Sequence, residues 1–188
     1  MSRQFWNEGL SWSTQNGSML TNSTTETILF PNITIPANYL QDGRTLKIHA
    51  DGQYTTAANQ PWFSFALRWG GVAGTILAKT SPTTLPNSVT GAPWHLDAYL
   101  TTRSNGSNAS VMTTGAVRLF SGIQGSVASA TGEAFVAPMT VTGASVLAQP
   151  TANIDATADT ALSLTGTWGT AAGADYITGH NYIIESLN

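Results

Sequence analysis

No cysteine occurs among the 188 residues, so disulfides, thiolate nucleophiles and cysteine metal sites are excluded. Charge is scarce as well. Charged residues make up 9% of the chain, against about 25% in an ordinary soluble domain, and the formal net charge is only -3. The seven basic residues, Arg3, Arg44, Lys47, Arg68, Lys79, Arg103 and Arg118, stand singly. Nucleic-acid binding needs a positive stripe, so no nucleic-acid partner is expected. No run approaches the roughly 18 apolar residues of a membrane span, and no membrane partner is expected. The opening stretch MSRQFWNEGLSW lacks the apolar centre of a secretory signal. No ten-residue segment carries a helical stripe flanked by caps, so almost no helix is predicted.

What is present is threonine, 28 residues of it, with 17 serines, in a chain that is still 41% hydrophobic. Such a surface takes its hydration from hydroxyls and amides, and the composition points to strands and to a large contact area with other chains. The length fits one domain with an arm. Residues 1–25 carry Phe5, Trp6, Leu10 and Trp12 with no sustained period, and we read them as an N-terminal arm. Large aromatic side chains do not float free, so Phe5, Trp6 and Trp12 are the candidate anchors of that arm on its own domain or on a neighbour.

From Thr25 onward a period of two takes over. TETILF and PNITIPANYL read as short strands, and Asp42-Gly43 as a turn. In RTLKIHA, Leu46, Ile48 and Ala50 face inward while Thr45, Lys47 and His49 face outward. Asp51-Gly52 offers a further turn or bulge. PWFSFALRWGG follows, with Phe63, Phe65, Leu67 and Trp69 inward and Trp62, Ser64, Ala66 and Arg68 outward. WHLDAYLTTR alternates the same way, the turn SNGSN leads into SVMTTGAVRLF, and a bulge is expected near Gly115. Residues 121–160 pattern weakly. ALSLTGTW and YITGHNYIIESL close the chain. About eight strands with Gly/Pro-rich connections, some of them long, predict an all-β fold: a single jelly-roll sandwich of antiparallel strands over residues 26–188 behind the arm.

Read in order, IPANYL, GRTLKIHADGQY, FALRWGG with TILA, WHLDAYLTTRSNG, and LSLTGTWGT followed by a last strand ending in IIESLN resemble one group of proteins. These are the small jelly-roll virion structural proteins of tailed bacteriophages, of the capsid cement, decoration or head- and tail-fibre-base type. The resemblance covers roughly residues 24–188. It implies a homotrimer attached to the outer surface of a virion after assembly in the host cytoplasm, partnered by the major capsid protein or another virion protein. It implies no catalytic residues and no cofactor. Similar jelly rolls also serve as receptor-binding tips, for which the partner is a host glycan.

The residues themselves are consistent with binding rather than catalysis. There is no G-x-S-x-G motif, and the carboxylates carry no spacing that selects a catalytic pair. His49, His95 and His180 are the only histidines. His49-x-Asp51 and His95-x-Asp97 each set a histidine and a carboxylate on one strand face. The two pairs would form one cluster if their strands were neighbours, and a metal would need a third ligand at coordination distance. The simpler reading is outward-facing histidines that hydrogen-bond at an interface, and no metal is expected. Five N-x-S/T sequons are attributed to chance in a chain rich in these residues. Trp62, Tyr99, Tyr176 and Tyr182 would suit a sugar-binding platform, but the shortage of Lys and Glu favours a protein interface. The candidate subunit-interface residues are therefore Trp62, Arg68, Tyr99, Arg103 and Tyr182.

Overall fold

A computed structural model describes residues 7–57, 61–120, 134–140 and 151–187. Among these residues there is no helix, and fourteen strands form one hydrogen-bonded, wholly antiparallel sheet. Nine strands have six residues or more: β1 (Asn7–Trp12), β5 (Thr45–Thr55), β6 (Trp62–Trp69), β7 (Thr75–Thr80), β9 (Ala92–Ser104), β10 (Ala109–Phe120), β11 (Ala134–Thr140), β13 (Thr160–Trp168) and β14 (Tyr176–Leu187). Five short pieces complete the set: β2 (Leu20–Thr21), β3 (Thr27–Ile28), β4 (Ile33–Ile35), β8 (Thr83–Thr84) and β12 (Thr151–Ile154). The count exceeds the expected eight because these short pieces pair along the margins of longer strands.

The path runs β1-β14-β5-β9-β10-β11-β7-β6-β13-β3. It curls into a half-barrel, broadly jelly-roll-like. One half, β1-β14-β5-β9-β10, faces the other, β7-β6-β13, and β11 joins them by pairing with both β10 and β7. The interior is filled by alternate residues of β5, β9 and β14, whereas β6 and β13 are buried on both faces around Phe65–Leu67 and Leu162–Gly166, so Ala66 is not on an outward face. In β5 the inward set is Leu46, Ile48, Ala50, Gly52 and Tyr54, and in β9 it is Trp94, Leu96, Ala98 and Leu100. Phe63, Phe65, Leu67 and Trp69 are all buried, as alternation in β6 requires. The two halves meet ring to ring, with Phe65 of β6 and Trp94 of β9 at 5.0 Å between centroids. Phe30, between β3 and β4, stacks on Tyr182 at 5.0 Å and meets Trp94 edge-on at 6.3 Å.

Several local expectations are corrected. Asp51-Gly52 is neither a turn nor a bulge in β5, whose pairing with β9 runs in register from Thr45 to Tyr54. The bulge lies opposite, in β14, between Gly179 and Asn181. Gly52 is small because the Trp94 indole crosses it to donate to the Thr178 carbonyl at 3.2 Å. Gly115 sits in regular register opposite Ala98, and the irregularity of β10 falls at Ser110/Val111. A Cβ on Gly115 would lie 2.6 Å from that of Ala98, so close strand packing accounts for the glycine. TETILF supplies only the two residues of β3.

The described part of the arm is built into the sheet: β1 and β2 both pair with β14. Leu10 packs against the core, whereas Trp12 stays 62% exposed. The ladder and Leu10 therefore hold this strand down, and Trp12 does not anchor it on the core. Phe5 and Trp6 lie outside the described residues.

Candidate functional site

Directly opposed residues of an antiparallel pair share a sheet face. That rule, applied across the registers, lays out the outer face of the β1–β11 side in rows. The central row reads Trp12, Ile183, His49, Asp97, Ala116 and Pro138. On one side of it lies the row Asn181, Asp51, His95, Arg118 and Val136. On the other lie Glu185, Lys47, Tyr99 and Thr114. One face thus gathers Trp12, Tyr99 at 44% exposure and Val136 at 60%, with Ile183 among them. Its one ion pair between long side chains, Lys47 Nζ to Glu185 Oε2 at 3.2 Å, is part-exposed and adds little stability.

At the centre of this face the two His-x-Asp motifs meet. The strands β5 and β9 are neighbours, and their register sets His49 opposite Asp97 and Asp51 opposite His95. The result is a two-by-two checkerboard of imidazoles and carboxylates. His49 Nδ1 and Asp97 Oδ1 are 2.9 Å apart. His49 Nε2 and Asp51 Oδ2 are 3.6 Å apart, beyond hydrogen-bond length. Asn181 Nδ2 donates to Asp51 Oδ2 at 3.3 Å. The His95 ring stands edge-on to Phe120 at 5.5 Å. Ligand atoms of His49, Asp51 and His95 all lie within 4.8 Å of one another. Sequence alone identified both motifs, but their meeting depends on a strand register that spans more than forty residues of chain.

The five candidate interface residues are dispersed. Tyr99 is on the outer face of β9, and Arg103 is exposed near the end of that strand, where its Nη2 approaches Met112 Sδ at 2.7 Å. Trp62, at 38% exposure, begins β6 in the other half and lies against Gly169, where its indole leaves no space for a Cβ. Arg68 is occupied within its own chain. Its Nε and Nη2 donate to Glu26 at 2.5 and 2.7 Å, and its Nη1 donates to the Gly74 carbonyl at 2.8 Å. Glu26 also accepts from Thr165 Oγ1. Burial pushes the Glu26 carboxyl up, but the hydrogen bonds from Arg68 and Thr165 and the nearby positive charges outweigh it and hold the group below its ordinary value. Tyr182 is corrected outright: at 1% exposure its ring belongs to the core and has no face to offer a subunit. The β14 bulge causes this by shifting the alternation, so that Gly179 and Tyr182 both point inward.

A cleft of about 180 Å³ opens beside β1, lined by Ser11–Gln15, Pro31–Ile33 and Tyr182. Trp12, Pro31 and Ile33 give it apolar wall, and Ser11, Ser13, Thr14, Gln15 and Asn32 bring hydroxyl and amide groups. The buried Tyr182 hydroxyl has no hydrogen-bond partner among the described residues, and burial pushes its phenol well above the ordinary range, so it stays protonated. Sequence reasoning missed this cleft because its walls come from three separated segments.

No protein-family model matches the chain, and no curated protein matches it. Among solved structures it is similar to the CBM2 module of the evolved Dit of Lactobacillus casei BL23 phage J-1. Identity is 12%, the TM-score 0.38, and coverage 99% of this chain and 98% of that one. It is also similar to the structure of infectious bursal disease virus, Gt strain, at 11% identity and a TM-score of 0.26. That match covers 98% of this chain but only 42% of the viral chain. At these values neither likeness establishes a shared fold or a shared role.

Proposed function

We propose that this protein is a virion surface component that acts by binding and performs no chemistry. In this reading it is a homotrimer of jelly-roll-like subunits that cements or decorates a bacteriophage shell. One observation carries the proposal: the outer face of the β1–β11 side presents Trp12, Ile183, Tyr99 and Val136 on a molecule with 9% charged residues. On this face the apolar and aromatic groups alternate with charges that can pair across a seam, Lys47, Glu185, Asp51, Asp97 and Arg118, a mixture that suits a protein interface with complementary charges. Closed cyclic assembly covers such faces, and repeated attachment sites on a shell turn weak contacts into durable ones. The resemblance of the strand and turn motifs to tailed-phage structural proteins points the same way.

The Trp12 cleft favours a second reading, a fibre or receptor-binding module for a host glycan. An exposed indole beside hydroxyls and amides suits the apolar face and hydroxyl rim of one sugar ring, and the cleft is smaller than the about 300 Å³ at which drug-sized pockets begin. One pull-down separates the two. The purified protein is offered to virions stripped of it and, separately, to host-wall polysaccharide. The first reading predicts retention on virions, weakened by Trp12→Ala because that side chain belongs to the covered face, and none on polysaccharide. The second predicts retention on polysaccharide that falls at least about tenfold in Trp12→Ala, a loss of ~1.4 kcal/mol. Retention on neither support contradicts both.

A further inference from the structure

We propose that the His/Asp checkerboard on β5 and β9 is a binding site for a divalent transition metal, zinc foremost, held by His49 Nε2, Asp51 Oδ2 and an imidazole nitrogen of His95. The geometry asks for a positive charge at this point. In the tautomer whose Nδ1–H donates to Asp97, 2.9 Å away, Nε2 of His49 carries a lone pair and lies 3.6 Å from Asp51 Oδ2. Two electron-pair donors then face each other across a gap too long for a hydrogen bond. Ligands about 2.0–2.1 Å from a tetrahedral zinc stand about 3.3–3.4 Å from each other, close to the separation found. His95 brings the third donor, all three lying within 4.8 Å of one another, so small side-chain rotations on an exposed face complete the set.

The surrounding groups are those that support a metal ligand set. A carboxylate on the far nitrogen of a ligating histidine fixes its tautomer and raises its basicity, which is the place of Asp97. A ligating carboxylate is itself hydrogen-bonded, which is the place of Asn181 on Asp51. Imidazole with carboxylate selects zinc and its first-row neighbours over calcium or magnesium. Arg118, opposite His95 on β10, is the cation of this row, and its long stem lets the guanidinium extend to solvent. Three protein ligands leave a fourth position open to water or to a group from a bound partner.

Calorimetric titration of the full chain with zinc chloride near neutral pH tests the site. We expect one saturable zinc per chain, no saturable calcium binding, a loss of at least about tenfold in His49→Ala and in His95→Ala, and a ten- to hundredfold loss in Asp97→Asn. A thermal melt of the wild type should rise with zinc, return with EDTA, and not move in His49→Ala. Because the four side chains lie outside the apolar core but on the face proposed to meet other copies, the zinc response of each variant is read against its own metal-free melt. Absence of saturable zinc binding would overturn the proposal. Wild-type zinc affinity in His49→Ala or in His95→Ala, or a comparable loss in His180→Ala, would overturn the ligand assignment.

Discussion

Gly52→Ala should destabilise the fold by about 3–5 kcal/mol, placing it among the exceptional single substitutions. A Cβ at this position would lie 2.0 Å from the Thr178 carbonyl oxygen, 2.8 Å from Trp94 Nε1 and 2.9 Å from Gly179 Cα. Two of these three neighbours are backbone, so no side-chain rotation relieves the clash. Either β14 moves away from β5, breaking the ladder at the bulge, or the Trp94 indole lifts off and loses its bond to Thr178. Trp94 also packs on Phe65 and Phe30, so the disturbance spreads into the contact between the two halves. Interiors packed at crystal density transmit such strain. Gly173→Ala is the matched control: nothing lies within 4 Å of its Cβ position, and a change within about 0.5 kcal/mol is expected. Urea midpoints compare the two directly, and equal midpoints would show that the Trp94–Thr178 crossing is not a constraint.

Arg68→Ala should cost about 2–3 kcal/mol at neutral pH. Arg68 and Glu26 are 14% and 23% exposed, so the estimate is kept below the 3–5 kcal/mol of a fully buried pair. The bidentate geometry and the third bond to Gly74 place it above a surface pair. The cost should depend on pH in a definite direction. The Glu26 carboxyl is held below its ordinary 4.5, so the folded state gives up this proton more readily than the unfolded chain. Its contribution is complete above about 4.5 and fades as pH falls through the lowered value. The stability gap between wild type and Arg68→Ala should therefore narrow between pH 7 and pH 3. A gap that stays constant, measured by urea unfolding at both pH values, would show that Glu26 is not the group Arg68 supports.

These two sites mark the boundary of what the sequence makes legible. Alternation along one strand is a local signal, and it places Phe63, Phe65, Leu67 and Trp69 inside, where they are buried. The same alternation put His49 and Asp51 together on one face of their strand, and likewise His95 and Asp97. Anything that depends on a second strand was hidden. Gly52 looks like a turn residue until Trp94, brought over by the β5–β9 register, is seen to lie across it. Arg68 looks like a surface cation until Glu26, 42 residues earlier, closes on it. Tyr182 looks like a surface aromatic because a bulge, which no motif announces, inverts the face of its strand. The checkerboard is the intermediate case, in which both halves were readable and only the register between them was not.

The central claim is that the outer face of the β1–β11 side exists to be covered by other copies of the chain. Molar mass by multi-angle light scattering across a dilution series tests it most directly. The account predicts a mass three times the 19.7 kDa of the chain, reduced toward the single-chain value when Tyr99→Glu sets a charge into that face. A wild-type mass of one chain at every concentration would contradict it.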